Sequence, residues 1–100
     1  MTAMQRRLKS VIERVGDTFT VGGVSHRGVV TLLTPSAARD YLLQTDIDAA
    51  PRPLRLVYAA YDDTTALGNS VVWASITLTV RKLVEVRYQD SVIARLMVLY

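Results

Sequence analysis

The sequence predicts a mainly β protein: a small antiparallel β-barrel or sandwich of about six strands, with a short N-terminal helix and a long mid-chain loop. Three observations predict it. The chain has 100 residues, enough for one core and one domain spanning 1–100. Apolar residues make up 50% and charged residues 21%, the composition of a folding chain. From residue 17 onward the apolar pattern repeats every second residue, with turn-forming residues at short intervals.

The first element is a helix over 2–15. Met4, Leu8, Val11, Ile12 and Val15 fall on one stripe at helical spacing. Thr2 followed by Gln5 fits a capping box, and Gly16 suits the position just past the helix end. Thr18 to Val21 then alternates as a strand, and Gly22-Gly23 supplies the positive φ angles of a tight hairpin. The return strand runs from Val24 to about Thr34, with Gly28 marking a bulge or sharp bend and Pro35 ending it.

Residues 36–53 are the least regular part. Ala37, Ala38, Tyr41, Leu42 and Leu43 can form a short helical turn, whereas Pro51 and Pro53 exclude regular structure at the far end. A connection this long in a small domain is either an interaction loop or a surface excursion folded back on the barrel by its apolar residues. Strand alternation resumes at Leu54, Leu56 and Tyr58, and Asp62 to Thr65 and Leu67 to Asn69 are turn chemistry. Val71 to Trp73 is a short strand. Ile76, Leu78, Val80, Val84, Val86 and Tyr88 share the face of a longer one, with a break in phase at Lys82 and Leu83 that predicts a bend or bulge. Gln89-Asp90 turns the chain into a last strand carrying Val92, Ala94, Leu96, Val98 and Tyr100.

Charge narrows the function classes. The net charge of +3 resides entirely in residues 1–14, where Arg6, Arg7, Lys9 and Arg14 face Glu13 alone. Arg6 and Arg7 lie near the positive end of the helix dipole, either as a solvated face or held for an external acidic partner. Without cysteine there is no disulfide, thiol nucleophile or thiolate metal site, and the single His26 excludes zinc sites of several histidines. No stretch suits a membrane span or a signal peptide. Nucleotide-binding and hydrolase motifs are absent. Asp62-Asp63 reads as a turn rather than an acid–base pair, and Asp46-x-Asp48 is a weak metal signal. No catalytic residue, cofactor or metal site is therefore expected. Ten of the twelve basic residues are Arg, which suits protein interfaces and phosphate alike. Most aromatics lie on the apolar face of their strands, as core rather than as base-stacking platforms.

The order of features resembles the head-closure (stopper, or head–tail joining) proteins of long-tailed bacteriophages and prophages. The resemblance runs from Lys9-Ser10-Val11-Ile12-Glu13-Arg14-Val15-Gly16 into Thr18-Phe19-Thr20-Val21, then through Pro53-Leu54-Arg55-Leu56-Val57-Tyr58. Its clearest stretch is Gly68-Asn69-Ser70-Val71-Val72-Trp73 with Leu78-Thr79-Val80-Arg81-Lys82-Leu83-Val84-Glu85, closing with the hairpin from Val86-Arg87-Tyr88 to Leu99-Tyr100. Asn69 stands where an acidic residue is common in that family.

The resemblance implies a non-enzymatic subunit of a homo-oligomeric ring in the virion neck. Such a subunit is made in the host cytoplasm and can be monomeric when free. Its ring lies below the portal and adaptor proteins, keeps packaged DNA in the head and offers a platform to tail proteins, with no membrane involved. Partner and ring contacts are expected at Arg6, Arg7, Arg14, Arg81 and Arg87. The channel loop would carry Arg39, Tyr41, Asp46, Asp48 and Arg52, close to DNA in passing. Alternatives are a tail terminator, a neck adaptor, a small nucleic-acid-binding barrel, or an adaptor domain of a cellular complex.

Overall fold

A computed structural model describes residues 1–49 and 54–100. Helix α1 (Ala3–Val15) leads into strands β1 (Asp17–Val21) and β2 (Val24–Leu33). Two short helices follow, α2 (Pro35–Ala38) and α3 (Gln44–Ala49). Strands β3 (Leu54–Ala60), β4 (Ser70–Trp73), β5 (Ile76–Tyr88) and β6 (Ser91–Leu99) complete the chain. The six strands close into an antiparallel barrel in the order β1-β2-β3-β6-β5-β4.

Thr2 and Gln5 form the expected capping box. Gly22 and Gly23 turn with φ of 58° and 82°. Two further hairpins place non-glycine residues at positive φ, Ala74-Ser75 and Gln89-Asp90. These are the angles that match the twist of two-residue hairpins. Strand β5 is continuous. Its ladder with β6 slips between Val80 and Lys82, so Arg81 is the extra residue of the bulge that the broken alternation announced.

The barrel interior packs Phe19, Val57, Ala59, Val71, Leu78, Val80, Met97 and Leu99. On β3 and β6 the interior therefore takes the odd-numbered residues, not the alternation of Leu54, Leu56, Tyr58 or of Ala94, Leu96, Val98. Those residues point outward, and many are still buried, because helices cover the outside. Ala38 of α2 and Ile47 of α3 pack with Leu33, Leu54, Leu56 and Val98 in a second core on the outer surface. Past the bulge, Val84 and Val86 also lie opposite outward-facing Leu96 and Ala94, while Leu83 joins the interior.

The mid-chain segment is thus an excursion folded back on the barrel through residue 49. Thr34 caps α2, its hydroxyl accepting from Ala37 N at 3.2 Å, and Pro35 opens that helix rather than simply ending β2. Gly16 stands just past the end of α1 as expected, and Gly28 marks no bulge; both are also sites of close approach. Gly16 ends α1 in extended backbone, and a Cβ there would lie 2.5 Å from Ile12 O and 2.8 Å from Gly28 O. Strand β2 shows no bulge at Gly28, which is the last residue paired with β1 and the first paired with β3. A Cβ at Gly28 would meet Val57 Cγ1 at 2.8 Å and Phe19 Cε1 at 2.9 Å. Both glycines let backbone and core approach closely where α1 hands over to the barrel. No helix among the described residues is long and apolar enough to cross a membrane.

Candidate functional site

Helix α1 lies across β2, β3 and β6. Its buried side is pinned by polar contacts. Gln5 Nε2 donates to Val92 O at 2.8 Å, and Lys9 Nζ reaches Asp62 Oδ2 at 2.6 Å. The hydrogen bond to Asp62 holds the Lys9 ammonium above its ordinary pKa. Arg27 of β2 donates to Glu13 O through Nε at 3.2 Å and Nη2 at 2.7 Å, satisfying a carbonyl of the last helical turn. Ile12 is buried, and Met4 and Leu8 are half-buried. Val11 and Val15 of the expected stripe are exposed instead, Val15 by 61%.

The arginines divide into two groups. The side chains of Arg6, Arg7 and Arg14 are exposed and make no hydrogen bond or ion pair with any described residue. Every described arginine outside α1 is engaged. Arg27 holds Glu13 O, Arg39 Nε donates to Gln44 Oε1 at 2.9 Å, and Arg95 donates to Asp63 O. Arg55 lies inside the barrel with its guanidinium 5.5 Å from the Trp73 ring centre. Arg81 lies 4.8 Å over the Tyr100 ring, with Nε 3.4 Å from Tyr100 O, and Arg87 meets Glu85 at 3.3 Å.

The structure brings together residues expected in separate groups. Arg39, Tyr41 and Asp46 of the mid-chain segment and Arg81 of the β5 bulge share an open groove of about 460 Å³, which Asp40, Leu42, Leu43 and Lys82 also line. Tyr41 is half-buried against the outer core, and Asp46 is exposed in the first turn of α3. Arg87 stands apart from this groove. The side chain of Asp48 and the whole of Arg52 lie outside the described residues.

A polar cluster that the sequence did not announce lies where β2 meets the β3–β4 connection. His26 Nδ1 lies 2.9 Å from Asp63 Oδ2, and the imidazole stacks on Phe19 with ring centres 5.4 Å apart. Thr65 N donates to Asp63 Oδ1 at 2.8 Å, and the Asp63 carbonyl accepts from Arg95. Burial alone would raise the Asp63 carboxyl, but hydrogen bonding from Thr65 and His26 outweighs it and holds the pKa below the ordinary carboxylate range. The pair fastens the β3–β4 connection to the barrel. No Ser or Thr hydroxyl among the described residues is hydrogen-bonded to His26. No group of three or more His, Asp or Glu among them could hold a metal ion. Only the doubled acid at Asp62-Asp63 hinted at this cluster, since residues 37 apart in sequence carry no spacing signal.

Comparison with protein-family models, with curated proteins and with solved structures returned no match.

Proposed function

We propose that the chain is a ring subunit of a phage head–tail connector, of the stopper type. It would close the portal channel after packaging and receive the tail. One observation carries this reading: among the described residues, arginine side chains without a partner are confined to α1, while every other described arginine is occupied within the fold. A barrel that binds nucleic acid by itself needs free cations along a groove and stacking aromatics beside them. Here Phe19 is interior, Trp73 packs against the interior core, and Tyr58 and Tyr88 are the exposed aromatics among the described residues. A neutral body with a basic arm favours docking onto an acidic protein surface, with DNA held by the assembled ring rather than gripped by one subunit. The resemblance in feature order, together with a closed barrel preceded by a helix, supports the connector class within that reading.

Tail-less phage heads incubated with the purified protein provide the test. Attachment at the portal vertex and retention of packaged DNA, without affinity for free duplex, are expected. Charge reversal at Arg6, Arg7 and Arg14 together should abolish attachment. Tight duplex binding that falls steeply with salt, and no attachment to heads, would overturn the proposal.

A further inference from the structure

Helix α1 is docked out of alignment with its own apolar stripe. Met4, Leu8, Val11, Ile12 and Val15 centre on one direction around the helix. The side turned to the barrel centres on Gln5, Leu8 and Ile12, roughly 50° away at 3.6 residues per turn. Three contacts fix this rotation: Gln5 to Val92 O, Lys9 to Asp62, and the close approach of Gly16 to Gly28. An amphipathic helix free to choose would bury both valines. Instead Arg7, Val11, Arg14 and Val15 form an exposed stripe at spacings of four, seven and eight residues. At its N-terminal end the stripe opens into a groove of about 300 Å³ between α1 and the β5–β6 hairpin, where Met4, Arg7 and Tyr88 contribute walls.

We infer that this stripe and groove form a docking site for an acidic amphipathic helix of a partner protein. Charge complementarity identifies the occupant. Arg7 and Arg14 have no partner among the described residues, Arg6 lies beside them, and residues 1–14 hold the chain's whole net charge of +3. Two arginines seven residues apart are separated by about 10 Å along the axis, which matches carboxylates seven residues apart on a facing helix. Val11, Val15, the half-buried Met4 and the exposed Tyr88 supply an apolar strip alongside them. A helical partner fits a straight, three-turn stripe, with its apolar face on the valines and its acids on the arginines. The inference stands on the helix alone, whether or not the connector reading holds.

The test uses two designed helical peptides with the same leucine stripe, one flanked by Glu at a seven-residue spacing and the other by Lys. Each is titrated into isotope-labelled full-length protein and followed by amide shifts. The Glu peptide should produce saturable shifts at Met4 to Val15 and at Tyr88, and the Lys peptide should not. Arg7→Glu with Arg14→Glu, and separately Val15→Asp, should weaken binding by roughly ten-fold or more while leaving the circular dichroism spectrum unchanged. Absence of saturable shifts, equal binding of both peptides, or shifts confined to another surface would overturn the inference. So would self-association of the protein through α1 that Val15→Asp abolishes.

Discussion

Replacing Gly28 by alanine tests how tightly the barrel is drawn in beneath α1. The new methyl would lie 2.8 Å from Val57 Cγ1, 2.9 Å from Phe19 Cε1 and 3.1 Å from Tyr58 O. Carbon contacts settle near 3.5–4.0 Å, so the two side chains must each retreat by about 0.6–1.2 Å. Neither has room, since both are 1% exposed within one core cluster, and the third obstacle is β3 backbone. Overpacking of this kind costs about 1–3 kcal/mol. Restricting the unfolded chain returns about 0.4–1 kcal/mol, so the midpoints leave a net loss of about 1.3 kcal/mol. In a domain of this size that lowers the melting temperature by roughly 5–10 °C. Thermal and urea unfolding followed by circular dichroism would read it, with an unchanged denaturant slope. A double-mutant cycle with Val57→Ala adds the decisive arm. Removing Cγ1 should relieve the clash, so the two changes together should cost less than their sum by at least about 0.5 kcal/mol. A neutral Gly28→Ala, or strict additivity with Val57→Ala, would refute the close-approach argument.

Ile47→Ala empties a fully buried position under α3 and should cost about 2–4 kcal/mol, with limited proteolysis cutting the segment around α2 and α3 first. Asp63→Asn should cost about 1–2 kcal/mol at neutral pH by weakening its contact with His26. It should also flatten the acid limb of the stability profile. Because folding lowers the Asp63 pKa, its contribution is full above the ordinary carboxylate range and is lost as the pH falls through the folded value. Urea midpoints measured from neutral to strongly acidic pH would show both effects. Ser75→Gly relieves a φ of 65° in an exposed hairpin turn and should stabilise the protein by about 0.5–1 kcal/mol, read as a raised urea midpoint.

Local chemistry made much of the fold legible. The Thr2–Gln5 box, the Gly22-Gly23 hairpin and the phase break beside Arg81 each involve neighbours within a few residues. The orientation of β3 and β6 was not legible in the same way. Alternation at Leu54, Leu56, Val98 and their neighbours marks one apolar face, and helices on the outside make that face buried without making it interior. Arg55 illustrates the converse: a charged residue between two leucines occupies the inner side, where Trp73 receives it. The candidate site divides similarly. Arg6, Arg7 and Arg14 stood out by composition, and the absence of side-chain partners among the described residues extends that signal. The joining of Arg39, Tyr41 and Asp46 to Arg81 depends on how the mid-chain segment folds back. No spacing in the sequence encodes that contact.

The barrel is closed unevenly, and this has a consequence for how the chain reaches its native state. Strands β1 and β4 meet through only two paired positions, Thr20 with Val72 and Val21 with Val71. By contrast, β5 and β6 pair along most of their length across the two-residue turn at Gln89-Asp90. The β5–β6 hairpin closes a short loop, whereas the β1–β4 seam must bring together segments about 50 residues apart for little immediate return. Folding should therefore begin in the C-terminal hairpin and end at that seam. The same two pairs make it the first place to part in the native state, so amides of β1 and β4 should exchange with solvent well before those of β6.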